Sequence, residues 1–139
     1  MRYMLLVYSR ETQMQSLPPE EKQQIRAAHW AVMNAAAEGG VFHGAEPLAS
    51  TLTATTVRTR AGKAFVTDGP FAETKEQLAG YYILDCASRE EAIAWAKQIP
   101  TACKGGEGCI EIRPLIPSPQ PGTPEFLESG RRIGPPRAS

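Results

Sequence analysis

The chain has 139 residues, 42% hydrophobic and 22% charged, which suits one globular domain long enough to build one core. Fifteen Lys and Arg balance fifteen Asp and Glu, so no net field exists to hold a phosphate backbone or an anionic membrane, and neither nucleic acid nor membrane is expected as a partner. Cys86, Cys103 and Cys109 are an odd set with no CxxC pair, which argues against a disulfide framework and against a thiolate metal site.

The amino terminus, MRYMLLVYSR, holds an apolar run of only about six residues, too short for a signal peptide core or a membrane span, so a cytoplasmic location is expected. Within it, residues 3–8 have the length of a strand. Both alternating sets, Tyr3/Leu5/Val7 and Met4/Leu6/Tyr8, are apolar, so burial on both faces is expected. Pro18 and Pro19 followed by Glu20 and Glu21 start a helix, with proline in the first turn and acids at the positive end of the dipole. Ile25, Ala28, His29, Val32 and Ala36 recur at helical spacing until Gly39 and Gly40 end it. His29 lies inside that apolar stripe.

Residues 41–48 mix Phe42, His43 and Glu46 with small residues, and their pattern leaves the element ambiguous. Residues 55–60 and 63–68 are β-rich runs joined through Ala61 and Gly62, a hairpin with glycine where positive φ is needed. The next run, TDGPFAETKEQLAGYY over residues 67–82, packs a tight turn, a charged connection and an aromatic strand together. Asp68 is placed to return its carboxylate to the backbone two residues on, and Pro70 fixes its own φ and removes a donor. Glu73, Thr74, Lys75 and Glu76 make a solvated connection, and Gly80 opens the strand over residues 81–85. Ser88 and Glu91 have capping-box spacing ahead of Ala92, Trp95, Ala96 and Ile99, a stripe closed by Pro100. Residues 109–113 then alternate Ile110 and Ile112 against Glu111 and Arg113, a last strand with one buried face.

From Pro117 the composition changes, with six of the twelve prolines in the last 23 residues. The chain therefore divides into a domain over residues 1–116 and an extended, partly disordered tail over 117–139. The order strand, helix, strands, helix, strand is the split βαβ plan of an α+β fold, an antiparallel sheet with a hairpin inserted and both helices on one face. The other face is apolar too. A second copy packed sheet against sheet is the expected cover, making the protein a homodimer.

The TDGPFAETKEQLAGYY run resembles the DGPF signature of the YCII-related proteins, and the resemblance covers roughly residues 1–116. It implies a ferredoxin-like domain that pairs into a dimeric α+β barrel, with residues 41–48 as a short strand running into a loop. Related barrels include isomerases and monooxygenases that act on small hydrophobic or aromatic molecules without a metal, so the resemblance implies no cofactor. In the better characterised YCII branch a His and Asp pair is proposed as catalytic, but the surroundings of His29 do not match that branch's motif. The DGPF branch is often encoded beside or fused to extracytoplasmic-function sigma factors, which implies a regulatory, metabolite-binding alternative.

Each candidate residue carries a plain reading beside the functional one. His29 is a general base tuned by burial, or a hydrogen-bonded core histidine. Asp68 orients such a base or acts as an acid, or simply forms the turn. His43 and Glu46 line a pocket if their segment is extended, or are surface polar groups. Tyr81 and Tyr82 point to opposite faces, so one offers a hydroxyl to a cavity while core packing accounts for the other. Arg58 and Arg60 share a strand face and bind an anion, or blunt an exposed edge. No phosphate loop, GxSxG elbow, HExxH pair or clustered metal-ligand set occurs, and no metal is expected. Two readings follow: proton transfer by His29 with Asp68 on a small apolar or aromatic substrate, or binding without conversion.

Overall fold

The computed structural model of the chain describes residues 1–101, 107–119, 121–129 and 136. The elements run β1 (Arg2–Ser9), α1 (Glu11–Gln15), α2 (Pro19–Glu38), β2 (Phe42–Pro47), a 3-10 turn (Thr51–Thr53), β3 (Thr55–Arg60), β4 (Lys63–Asp68), β5 (Gln77–Asp85), α3 (Arg89–Ala96), β6 (Gly108–Pro114) and α4 (Pro124–Ser129). Four strands form one sheet in the order β2-β5-β1-β6, with every pairing antiparallel. Consequently β1 and β2 run parallel with β5 between them, and β5 and β6 run parallel with β1 between them. These are two interleaved split βαβ units, as the order of predicted elements implies. The inserted hairpin β3–β4 is a separate two-stranded sheet.

Tyr3, Leu5 and Val7 of β1 and Tyr82 and Leu84 of β5 form the floor of the core, roofed by Val32 and Ala36 of α2 and Ala92 of α3. Both helices therefore cover the same sheet face. On the opposite face Met4, Leu6, Tyr8, Tyr81 and Ile83 are only half-buried, so β1 is closed on one side and not on both. The expected stripe of α2 also changes at one position. Ala28 is exposed, and Ile25, His29 and Met33 are half-buried, because the first half of the helix stands over a cavity and only Val32 and Ala36 reach the core.

Strand β5 begins at Gln77, three residues before Gly80, so that glycine sits inside the strand. The reason is close approach: a Cβ there would lie 2.8 Å from the Glu46 carbonyl oxygen and 3.3 Å from Pro47 Cα. The α3 cap follows its spacing, with Ser88 Oγ accepting from the Glu91 amide at 3.2 Å. Glu91 Oε2 in turn accepts from the Ala87 amide at 2.7 Å. In the hairpin both turn residues, Ala61 at φ 49° and Gly62 at φ 78°, occupy the left-handed region that a two-residue primed turn requires.

The DGPF turn is held differently from expectation. The residue two beyond Asp68 is Pro70, which has no N–H to give, and Asp68 forms no side-chain hydrogen bond among the described residues. Instead the Gly69 amide donates to the Ala54 carbonyl at 2.7 Å and Thr56 Oγ1 donates to the Gly69 carbonyl at 2.7 Å. The 71–76 connection carries no regular element. Three short elements were absent from the sequence reading, α1, the 3-10 turn and α4, and Glu11 ties the first two together. Its carboxylate accepts from the Thr51 amide and Thr51 Oγ1, both at 2.7 Å, while its amide donates to Gln77 Oε1 at 3.0 Å. In the tail, expected to be extended, Pro124–Ser129 form a helix, started by Pro124 and Glu125 in its first turn, while residues 117–119 are irregular. Cys86 is a buried free thiol and Cys109 an exposed one; Cys103 lies outside the described residues.

Candidate functional site

A cavity of about 400 Å³ opens between the first half of α2 and the β2–β5 side of the sheet. From α2 it takes Lys22, Ile25, Arg26, His29, Trp30 and Met33, residues that recur along one helical face. Ala45, Glu46 and Pro47 of β2 and residues 79–82 of β5 form the facing wall, with Val7 and Met14 completing it. Two irregularities shape that wall. The β1–β5 register slips between Val7 and Tyr8, and the β2–β5 register slips between Phe42 and Gly44.

Inside the cavity wall, His29 Nδ1 and the Tyr82 hydroxyl are hydrogen-bonded at 2.6 Å, with the two rings stacked at an interplanar angle of 23°. Tyr82 stands on β5 opposite Leu5 of β1 and Ala45 of β2, in the middle of the helix-covered face, and is 3% exposed. Burial lowers the pKa of His29 and pushes that of Tyr82 up to about 12, because both charged forms would be poorly solvated there. At neutral pH the pair is thus an uncharged imidazole beside a protonated phenol. With Nδ1 engaged by Tyr82, Nε2 makes no hydrogen bond among the described residues. If Nδ1–H donates to the phenol oxygen, Nε2 keeps a lone pair and is a base; in the other tautomer Nε2–H is a donor.

The remaining candidates are distributed as follows. Glu46, Tyr81 and Tyr82 line this cavity, whereas His43 does not. The slip in β2 leaves His43 exposed, with Nε2 3.9 Å from the Asp85 carboxylate, which also receives the chain's amino group at 3.1 Å. Asp68 lines a second cavity of about 480 Å³ at the foot of the hairpin, with Thr51, Glu73, Thr74 and Gln77. His29 and Asp68 therefore face different cavities, and the partner of His29 is Tyr82. Arg58 and Arg60 lie out on the hairpin, sharing one face with Phe65 and Lys63. Among the described residues no group of three or more His, Cys, Asp or Glu is placed to hold a metal ion. No helix among them is long and apolar enough to cross a membrane.

Trp30 and Met33 are cavity residues that the sequence reading passed over. Their signal was available, since Lys22, Ile25, Arg26, His29, Trp30 and Met33 follow one another at spacings of three, one, three, one and three. Trp30 is 56% exposed on a helix that buries other residues, a large aromatic left open to solvent at the cavity.

A family model for the YCII-related domain matches residues 1–119, which takes in the whole sheet, the hairpin and both long helices. The chain belongs to the YCII-related family. This YCII-related chain is also similar to an uncharacterized protein of Rhizobium meliloti (strain 1021), with 39% identity over 115 residues that span 83% of this chain and 92% of the relative. Both cavities of the YCII-related domain fall within the matched residues.

Proposed function

We propose that the cavity beneath α2 binds a small apolar or aromatic molecule and that His29 moves a proton to or from it at Nε2, without a cofactor. The observation that carries this reading is the His29–Tyr82 hydrogen bond in an otherwise largely apolar wall. A cavity of about 400 Å³ lies within the range of roughly 300–1,000 Å³ typical of small-molecule sites. Tyr82 holds the imidazole by Nδ1, and its oxygen accepts from the imidazolium once Nε2 has taken a proton, as the carboxylate does in a hydrolytic triad but without its charge. The working form in this reading is a homodimer closed over the half-buried face of Met4, Leu6, Tyr8, Tyr81 and Ile83, in the cytoplasm.

The second reading is retention without conversion, in which the bound metabolite serves regulation. It is favoured by the scarcity of polar groups in the wall, since holding an apolar ligand needs little beyond Trp30, Met33 and Ile25. One experiment separates the two. Small aromatic and apolar compounds that raise the melting temperature are incubated with the protein in D2O, and carbon-bound hydrogen exchange is followed by NMR. Proton transfer predicts exchange that falls about 10²–10⁴-fold in His29→Ala while the thermal shift persists. Thermal shifts without exchange in the wild type would leave only the binding reading.

A further inference from the structure

The charged groups around the first cavity point further than its apolar wall. Lys22 and Arg26 stand one helical turn apart on α2, in the same row as His29 and Trp30, and both are exposed lining residues, so they mark the mouth. Neither forms an ion pair among the described residues. Glu46, the one carboxylate in the lining, pairs in register with Tyr81, so its side chain is carried on the sheet face turned away from α2. The α2 side of the mouth therefore carries two cations, above a wall of Ile25, Trp30 and Met33. The second cavity has the opposite balance, with Asp68 and Glu73 in its lining and no Lys or Arg.

Resting on the reading of the first cavity as a ligand site, we infer that its ligand is a small monoanion, an apolar or aromatic body bearing one carboxylate. The body lies against Trp30 and Met33, and the carboxylate takes the excess positive charge at Lys22 and Arg26. Two nearby cations on one helix face suit a carboxylate, whose two oxygens can accept from the Arg26 guanidinium and the Lys22 ammonium together. This also orients the ligand. With its charged end held at the solvent-facing turns of α2, the apolar end is directed to the interior wall where His29 and Tyr82 are hydrogen-bonded. The same anion is repelled from the second cavity by Asp68 and Glu73, so the two sites sort ligands by charge.

The test uses 3-phenylpropionate and its neutral amide as matched probes, titrated calorimetrically into the full chain at low salt. Wild type is expected to bind the acid about tenfold more tightly than the amide, the size that two partly screened ion pairs supply. That preference should shrink as salt is raised. The Lys22→Gln/Arg26→Gln double variant is expected to bind acid and amide equally while keeping the wild-type affinity for the amide, which shows the wall intact. Equal affinities in wild type, or a preference that survives the double substitution, would overturn the inference while leaving the cavity as a ligand site. Failure of both probes to bind at millimolar concentration would overturn the ligand-site reading and this inference with it.

Discussion

At the scale of single residues, His29 and Tyr82 depend on each other. Their separation of 53 residues explains why a helical stripe and a strand alternation revealed each alone but not the bond between them. Alternation showed that Tyr81 and Tyr82 face opposite ways; which of them faces α2 is decided by the register that puts Tyr82 beside Leu5 and Ala45. The end of the strand at Asp68 was legible from Gly69 and Pro70, but the contacts that hold the turn, from Ala54 and Thr56, are not local and were not. The distance of Asp68 from His29 depends on where the hairpin leaves the sheet. The low pKa of His29 has a consequence for stability. Its folded value lies below 6.5, so on acidification the unfolded chain takes up a proton at about 6.5 that the folded protein still refuses. The stability this contributes is fully present above pH 6.5 and is lost as pH falls from there to the folded pKa. In His29→Gln the loss over that window should be smaller than in wild type, measured by urea midpoints between pH 7.5 and 5. Parallel curves for the two proteins would contradict a desolvated His29.

At the scale of elements, the limits of α2, β3 and β4 were readable because their punctuation is chemical: paired prolines and glycines for the helix, an Ala-Gly turn for the hairpin. Gly80 misled for the same reason. A glycine beside an aromatic run reads as a strand opening, but here it admits the β2 backbone in the middle of β5. Elements α1 and the 3-10 turn carried no periodic signal, and the bonds of Glu11 to Thr51 and Gln77 are tertiary. Because the Cβ of an alanine at position 80 would meet backbone atoms of Glu46 and Pro47, β2 must move to accept it. Gly80→Ala is expected to cost about 1–3 kcal/mol, read from urea unfolding, and to shift the amide resonances of Ala45 and Glu46, which line the cavity. Unchanged stability and unchanged resonances would show that β2 has slack that the close approach denies.

At the scale of the whole molecule, two apolar sheet faces were legible from β1 alone, and the structure places α2 and α3 over just one of them. A homodimer through the other face predicts that the chain sediments as a dimer at micromolar concentration and that Leu6→Glu, a charge placed at the centre of that face, sediments as a monomer. A monomeric wild type would contradict it. On the other side of the sheet stands an uncharged imidazole in the wall of the cavity proposed to bind a ligand. NMR titration of the His29 ring nitrogens, with and without saturating 3-phenylpropionate, tests that most directly. The expected result is a midpoint below 6.5 in the free protein and an Nε2 resonance that moves when the ligand is added. A midpoint at or above 6.5, or an Nε2 resonance indifferent to the ligand, would contradict the account.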